Sequence, residues 1–456
     1  MKNKVFIVLV FLSNMMLANI SLPAIFSDNM VLQRNAKVKF WGWANPKEEI
    51  SIQPSWTNQE YKITANNQAS WQIEIPTTNE NKPFTISFKG YNEIVLKNVL
   101  LGEVWLCSGQ SNMEMSASWG IKNGEEEMKK ANYPNIRFFN VPKATASSPQ
   151  NDTKGNWVNC TPETMKYNSA IAYFFAQKIQ EEIQGVPVGL IISAWGGTPA
   201  EIWIPKESVI QDTVLNEASK KLTPSEYGPI MPGSAYNAMI HPFIGYKIAG
   251  TLWYQGESNV GSSCYQKTFA TLISSWRDLW GYTFPFYYAQ IAPYNDGYRH
   301  FGSVEVRYAQ LKTLELPNTA MVVTSDISTT DDIHPKDKKT VGIRFANLAL
   351  KALYNKNVFE VNGPVFKNIE INKNTIKINF DYAEGLYFKK VKSDLFEIAG
   401  ENGIYYKAEA KIKNNQVVVK SSVVKNPIKV QFAWKNDAQS DLFNGADLPA
   451  SSFKSE

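Results

Sequence analysis

Histidine and cysteine are the scarce residues of this chain, three of each in 456 positions. His241, His300 and His334 stand in unrelated contexts, and Cys107, Cys160 and Cys264 follow no metal-ligand spacing. No metal and no other cofactor is therefore expected. Three cysteines also define no disulfide framework. Cys107 sits inside an apolar run and reads as a small buried hydrophobe. Blocks of like charge are missing too. The net charge of +5 is spread along the chain, so no nucleic-acid-binding tail is expected. The one strongly apolar stretch, Val5 to Leu12, is too short to span a bilayer. No cysteine follows it closely, which argues against a lipid anchor. Missing motifs narrow the chemistry further. The chain has no Gly-x-x-x-x-Gly-Lys loop, no Gly-x-Gly-x-x-Gly after a first strand and no His-Glu-x-x-His. There is no Gly-x-Ser-x-Gly, because Met113 occupies the last position after Ser111, so the usual α/β-hydrolase elbow is absent.

What is present points to a folded, exported protein. Hydrophobic residues make up 44% and charged residues 20%, enough to build cores. At roughly 150 residues per domain, two to three domains are expected. Residues 1–18, with Lys2 and Lys4 before the apolar stretch and Ala18 at its end, have the layout of a secretory signal peptide. Residues 19–100 alternate apolar and polar positions between Asn, Gly and Pro breaks, as in "VKFWGWA" and "QASWQIEIP", and read as a small β-domain. From 101 to 356 helix-spaced and strand-like runs alternate. Helices are expected over 169–185, 263–281, 303–316 and 336–355, and strands over 186–195, 248–256, 284–293 and 319–327. The fold class is thus α/β, a parallel sheet flanked by helices. Residues 357–456 return to short strands and read as a C-terminal β-domain. The 13 Trp, 21 Tyr and 24 Phe can give flat faces to sugar rings, though core packing accounts for most of them.

A parallel sheet would gather four strand ends on one edge, where open sheets of this kind bind ligands. These ends carry Gly109-Gln110-Ser111-Asn112, Gly196-Gly197-Thr198, Gln255-Gly256-Glu257-Ser258-Asn259 and Asp331-Asp332-Ile333-His334. Acyl transfer needs a hydroxyl nucleophile, a histidine to take its proton, a carboxylate to orient the histidine, and N–H donors for the oxyanion. Ser111, His334, an aspartate beside it, and donors from Ser111, the glycines and an amide side chain can fill those roles. Asp332 is preferred over Asp331, because in an extended segment the residue two before His334 shares its face. A neighbouring carboxylate should raise the pKa of His334. A glycosidase pair built on Glu257 with Glu103 or Glu201 would leave Ser111 and His334 unused. Glu257 is better read as an orienting carboxylate, Gln255 can satisfy buried backbone groups, and Trp105 and Trp195 read as core.

The segments "LPAIFSDNMVLQ", "GEVWLCSGQSNMEM", "GLIISAWGGTPAEIW", "YNAMIHP", "GTLWYQGESN", "DDIHPKDKKTVGIR" and "NGADLPASSF" closely resemble the sialate O-acetylesterase family of SGNH hydrolases, over nearly the whole chain after residue 18. The resemblance implies a secreted or periplasmic esterase that removes acetyl groups from sugars, with Ser111 as nucleophile and His334 as base. It implies oxyanion donors from Ser111, Gly196, Gly197 and Gln255, and substrate contacts from Gln110, Asn112, Glu257, Asn259 and Arg307. Alternatives are an acetylxylan or other hemicellulose esterase and a carbohydrate-binding protein on an inactive hydrolase core. The interval from Trp203 to Tyr236 is short for the family, where some members insert a further β-domain.

Overall fold

The computed structural model describes residues 19–295, 297, 301–356 and 358–455. The expected signal peptide and His300 lie outside them. The elements that position the site are strands β1 (Lys37–Trp43), β2 (Ser70–Pro76), β3 (Glu93–Gly109), β4 (Tyr133–Asn140), β5 (Trp157–Cys160), β6 (Val188–Ala194), β7 (Gly250–Tyr254), β8 (Phe286–Ala289) and β9 (Thr319–Val322). Helices α1 (Ser111–Glu114), α2 (Ala170–Glu182), α3 (Tyr265–Trp280), α4 (Gly302–Lys312) and α5 (Lys338–Ala352) accompany them.

The central sheet runs β9-β8-β7-β3-β6-β4-β5. Every pairing is parallel except the last, where β5 runs against β4. Strands β6, β7 and β8 are buried along their whole length and mostly apolar because both faces are covered. Helices α2 and α5 pack together over one face, with Phe174, Phe175, Val341 and Phe345 in its core. Helix α3 covers the other face through Phe269, Leu272 and Trp276. All four helices expected from periodicity are present, within a few residues of their expected ends. Strands β4 and β5 were not anticipated, because "NIRFFNV" and "WVNC" are short and carry no turn signal at the right spacing.

The expected boundary at residue 100 falls inside a strand. β3 is 17 residues long; its first half pairs with the N-terminal β-region at Phe84–Lys89 and its second half forms the centre of the parallel sheet. Beyond residue 357 two four-stranded sheets follow. Phe432 and Phe453 of this region share one apolar cluster with Phe286 of the parallel sheet and Phe40 of β1. None of the three cysteines is in a disulfide. Among the described residues no helix is long and apolar enough to cross a membrane.

Candidate active site

Parallel pairing brings the carboxyl ends of β3, β6, β7 and β9 to one edge. At the end of β3 the chain turns sharply at Gly109, whose φ is +132°. A Cβ there would sit 2.2 Å from the Tyr254 carbonyl oxygen, so only glycine fits. Gln110 caps the short helix α1, and Ser111 opens it. This lifts the Ser111 hydroxyl off the sheet edge. Its Oγ lies 2.9 Å from His334 Nε2. The pair, 223 positions apart in sequence, is the one contact on which the whole reading depended.

The carboxylate is less neatly placed. Asp332 Oδ1 accepts the backbone N–H of His334 at 2.8 Å and stands 3.8 Å from Nδ1 of its ring. That is too long for a hydrogen bond. Asp331 is exposed and has no recorded bond to the ring. The pKa of His334 is lowered, not raised as expected. Burial lowers it most, the Lys338 ammonium lowers it further, and the opposing pull of Asp332 does not compensate.

Lys338 had not been singled out. It begins α5, four residues after His334, and its Nζ donates to Asn112 Oδ1 at 2.6 Å. Asn112 Nδ2 in turn donates to Glu257 Oε1 at 2.6 Å and to the Ile333 carbonyl at 3.1 Å. One amide thus joins three strand-end segments behind the Ser111–His334 pair. Burial pushes Lys338 down to about 7 despite the attraction of Glu257 and Asp332, and burial raises Glu257. Its sequence signal was weak: one lysine among Lys336, Lys338 and Lys339 in a polar helix start.

The structure buries most of the residues expected to contact substrate. Gln110, Asn112, Asn259 and Arg307 are buried, as is the Glu257 carboxylate. Gln110 Oε1 accepts the N–H groups of Gly256 and Ser258. Asn259 donates to the buried Glu201 at 2.9 Å and accepts from the Ala200 N–H. Arg307 lies on α4 and donates to the carbonyls of Lys435 and Asn436 in the C-terminal region. All of them brace the edge through these bonds, and Asn259 also borders the cleft beside Ser258. Gln255 is not an oxyanion donor, since its amide donates to the Thr198 carbonyl and Asn259 Oδ1. Gly196 lies against Ser111, but its N–H is given to Glu114 Oε2 at 2.8 Å, and Glu114 also pairs with Lys143 at 2.6 Å. The N–H groups of Ser111 and Gly197 have no acceptor among the described residues. Trp105 is core as expected. Trp195 is only partly buried and donates to the Tyr227 carbonyl. Glu103 is tied to Arg34 and Gln33, and Glu201 to Asn259, so neither forms the expected carboxylate pair with Glu257.

A cleft of about 820 Å³ opens beside Gly197 and Ser258. Its far wall is Thr213 to Ile230, within the short Trp203–Tyr236 interval.

Residues 101–351 match the family model "Carbohydrate esterase, sialic acid-specific acetylesterase". The chain belongs to this family. It is 30% identical to a sialate O-acetylesterase of Pongo abelii and 29% identical to that of Homo sapiens, in each case over 82% of this chain and 78% of the relative. Its fold matches the crystal structure of a carbohydrate acetylesterase from Xanthomonas citri, with a TM-score of 0.87 and 30% identity over 96% of this chain and 99% of that one. Family membership makes the protein an ester hydrolase of the carbohydrate acetylesterase type.

Proposed function

We propose that the protein hydrolyses acetyl esters of sialic acid by a double displacement at Ser111. The 2.9 Å contact between Ser111 Oγ and His334 Nε2 carries this reading. For Nε2 to accept the hydroxyl proton, the other ring nitrogen must hold its own, and Nδ1–H then faces Asp332. Ser111 Oγ attacks the acetyl carbonyl while its proton passes to Nε2. The imidazolium then protonates the departing sugar hydroxyl, leaving an acetyl-serine. Water, deprotonated by the same histidine, releases acetate. Asp332 stabilises the charge that builds on the ring, closing its gap to Nδ1 as that charge forms. The lowered pKa suits the role, since a base must be neutral to accept a proton. The free N–H groups of Ser111 and Gly197 are the proposed oxyanion donors.

Two things support sialic acid as the sugar: the relatives that carry its name and Lys221, a cation on the wall of the cleft beside Gly197 that can meet a sugar carboxylate. The N-terminal layout favours export, to the periplasm or beyond. The test is acetate release from O-acetylated N-acetylneuraminic acid against acetylated xylan. Faster release from the sialic acid ester supports the reading. Faster release from xylan would move the assignment to hemicellulose esterases.

A further inference from the structure

We infer that the N-terminal β-region carries a second carbohydrate-binding site, a cleft of about 420 Å³ between the outer face of the β1–β2 ribbon and the segment His241–Ile244. The register explains its lining. Lys39, Trp41 and Trp43 alternate along β1 and so share one face. Their cross-strand partners on β2 are Glu74, Gln72 and Ser70. Two indoles therefore stand side by side, with polar groups directly opposite.

Both tryptophans are only partly buried. Trp41 is steadied by an edge contact with Phe26, ring centres 4.6 Å apart, whereas Trp43 does not belong to the apolar core. Neither indole N–H has a partner among the described residues, and neither is sealed from solvent. Trp157, Trp276 and Trp280 behave differently: each is buried and donates to a backbone carbonyl. Across the cleft, His241 Nδ1 lies 2.7 Å from the Gln150 carbonyl oxygen. That contact makes Nδ1 the donor and leaves Nε2 as an acceptor. The cleft thus offers flat apolar faces, two spare N–H donors, an imidazole acceptor and the amides of Gln72 and Asn66. A pyranose ring asks for this set, with C–H faces for stacking and a rim of hydroxyls for hydrogen bonds. The occupant is a sugar residue of the glycan whose ester is cleaved elsewhere. This rests on the substrate being a glycan, but not on Ser111 chemistry.

The experiment is isothermal titration of the Ser111→Ala protein with 3′-sialyllactose and, separately, xylohexaose, with Trp43→Ala and Gln72→Ala each added to that background. Turnover of p-nitrophenyl acetate is measured with Trp43→Ala in the otherwise native chain. Trp43→Ala should weaken binding of at least one oligosaccharide by about tenfold or more, Gln72→Ala should weaken it less, and p-nitrophenyl acetate turnover should stay unchanged. The oligosaccharide that binds identifies the glycan class. Equal affinity with and without Trp43, or no binding of either oligosaccharide, would overturn the inference. Loss of p-nitrophenyl acetate turnover on Trp43→Ala would also overturn it, whereas absence of turnover in the unsubstituted protein would instead count against the proposed esterase.

Discussion

Two neighbouring strand ends of this molecule are built from almost the same letters. β3 ends in Gly-Gln-Ser-Asn and β7 in Gln-Gly-Glu-Ser-Asn. Each turns on a glycine of large positive φ, +132° at Gly109 and +150° at Gly256, and each continues into a short helical turn. Each asparagine holds a carboxylate whose pKa is raised by burial: Asn112 holds Glu257, and Asn259 holds Glu201. Yet only the first presents a hydroxyl to a histidine. The difference lies in what faces each turn. The β3 turn meets the Asp332–His334 loop and the cation of Lys338, whereas at the β7 turn Tyr265 of α3 holds Gln255 and no histidine among the described residues bonds Ser258. Equivalent local chemistry becomes a site or a brace according to what packs on top.

The largest effect that would break this comparison is at the histidine. His334→Ala should lower kcat/KM on an acetyl ester by about a thousandfold or more while the melting temperature holds, because a partly exposed ring contributes little packing. The two asparagines should then separate activity from stability. Asn112→Ala frees the Ile333 carbonyl and leaves Glu257 and Lys338 without their shared partner; kcat should fall on the order of 10–100-fold. Asn259→Ala removes both amide hydrogen bonds to buried Glu201, which should cost about 1–3 kcal/mol in denaturant titrations with kcat in the folded enzyme nearly intact. Equal losses of kcat would mean the two turns do the same work. Asp332→Asn should cost on the order of tenfold in kcat, less than a tight triad carboxylate would, since the amide keeps an acceptor for the His334 N–H. Asp331→Asn should cost nothing measurable in the same assay.

The smallest effect is a shift in pH. Because the folded pKa of His334 lies below its usual value near 6.5, the protein keeps the base neutral further into acid. The acid limb of kcat/KM should therefore fall below pH 6.5. Lys338→Met removes a positive charge that disfavours His334 protonation. The limb should then move to higher pH, read from pH–rate profiles of the two proteins. No movement would show that Lys338 acts only through Asn112.

The strand and helix order of residues 169–355 was legible because buried parallel strands and amphipathic helices write their periods into the chain. Ser111 and His334 were legible for a different reason: a glycine turn after an apolar run, and one histidine out of three with carboxylates beside it. The burial of the other expected site residues was not legible. Gln110, Asn112, Gln255, Asn259 and Arg307 are polar residues near strand ends or on a nearby helix, and such residues look like surface groups in a sequence. Whether they line a pocket or close it depends on neighbours far along the chain, Tyr265 for Gln255 and the carbonyls of Lys435 and Asn436 for Arg307. No local pattern carries that information. Lys338 was missed likewise, because a buried lysine and a solvated one look alike until α5 is packed.

The most direct test of the account is covalent labelling with diisopropyl fluorophosphate followed by peptide mass mapping. A serine nucleophile at Ser111 gives a single phosphoryl adduct there, absent in Ser111→Ala and formed far more slowly in His334→Ala, with loss of esterase activity tracking adduct formation. A stoichiometric adduct on another serine, or full esterase activity in a folded Ser111→Ala protein, would contradict it.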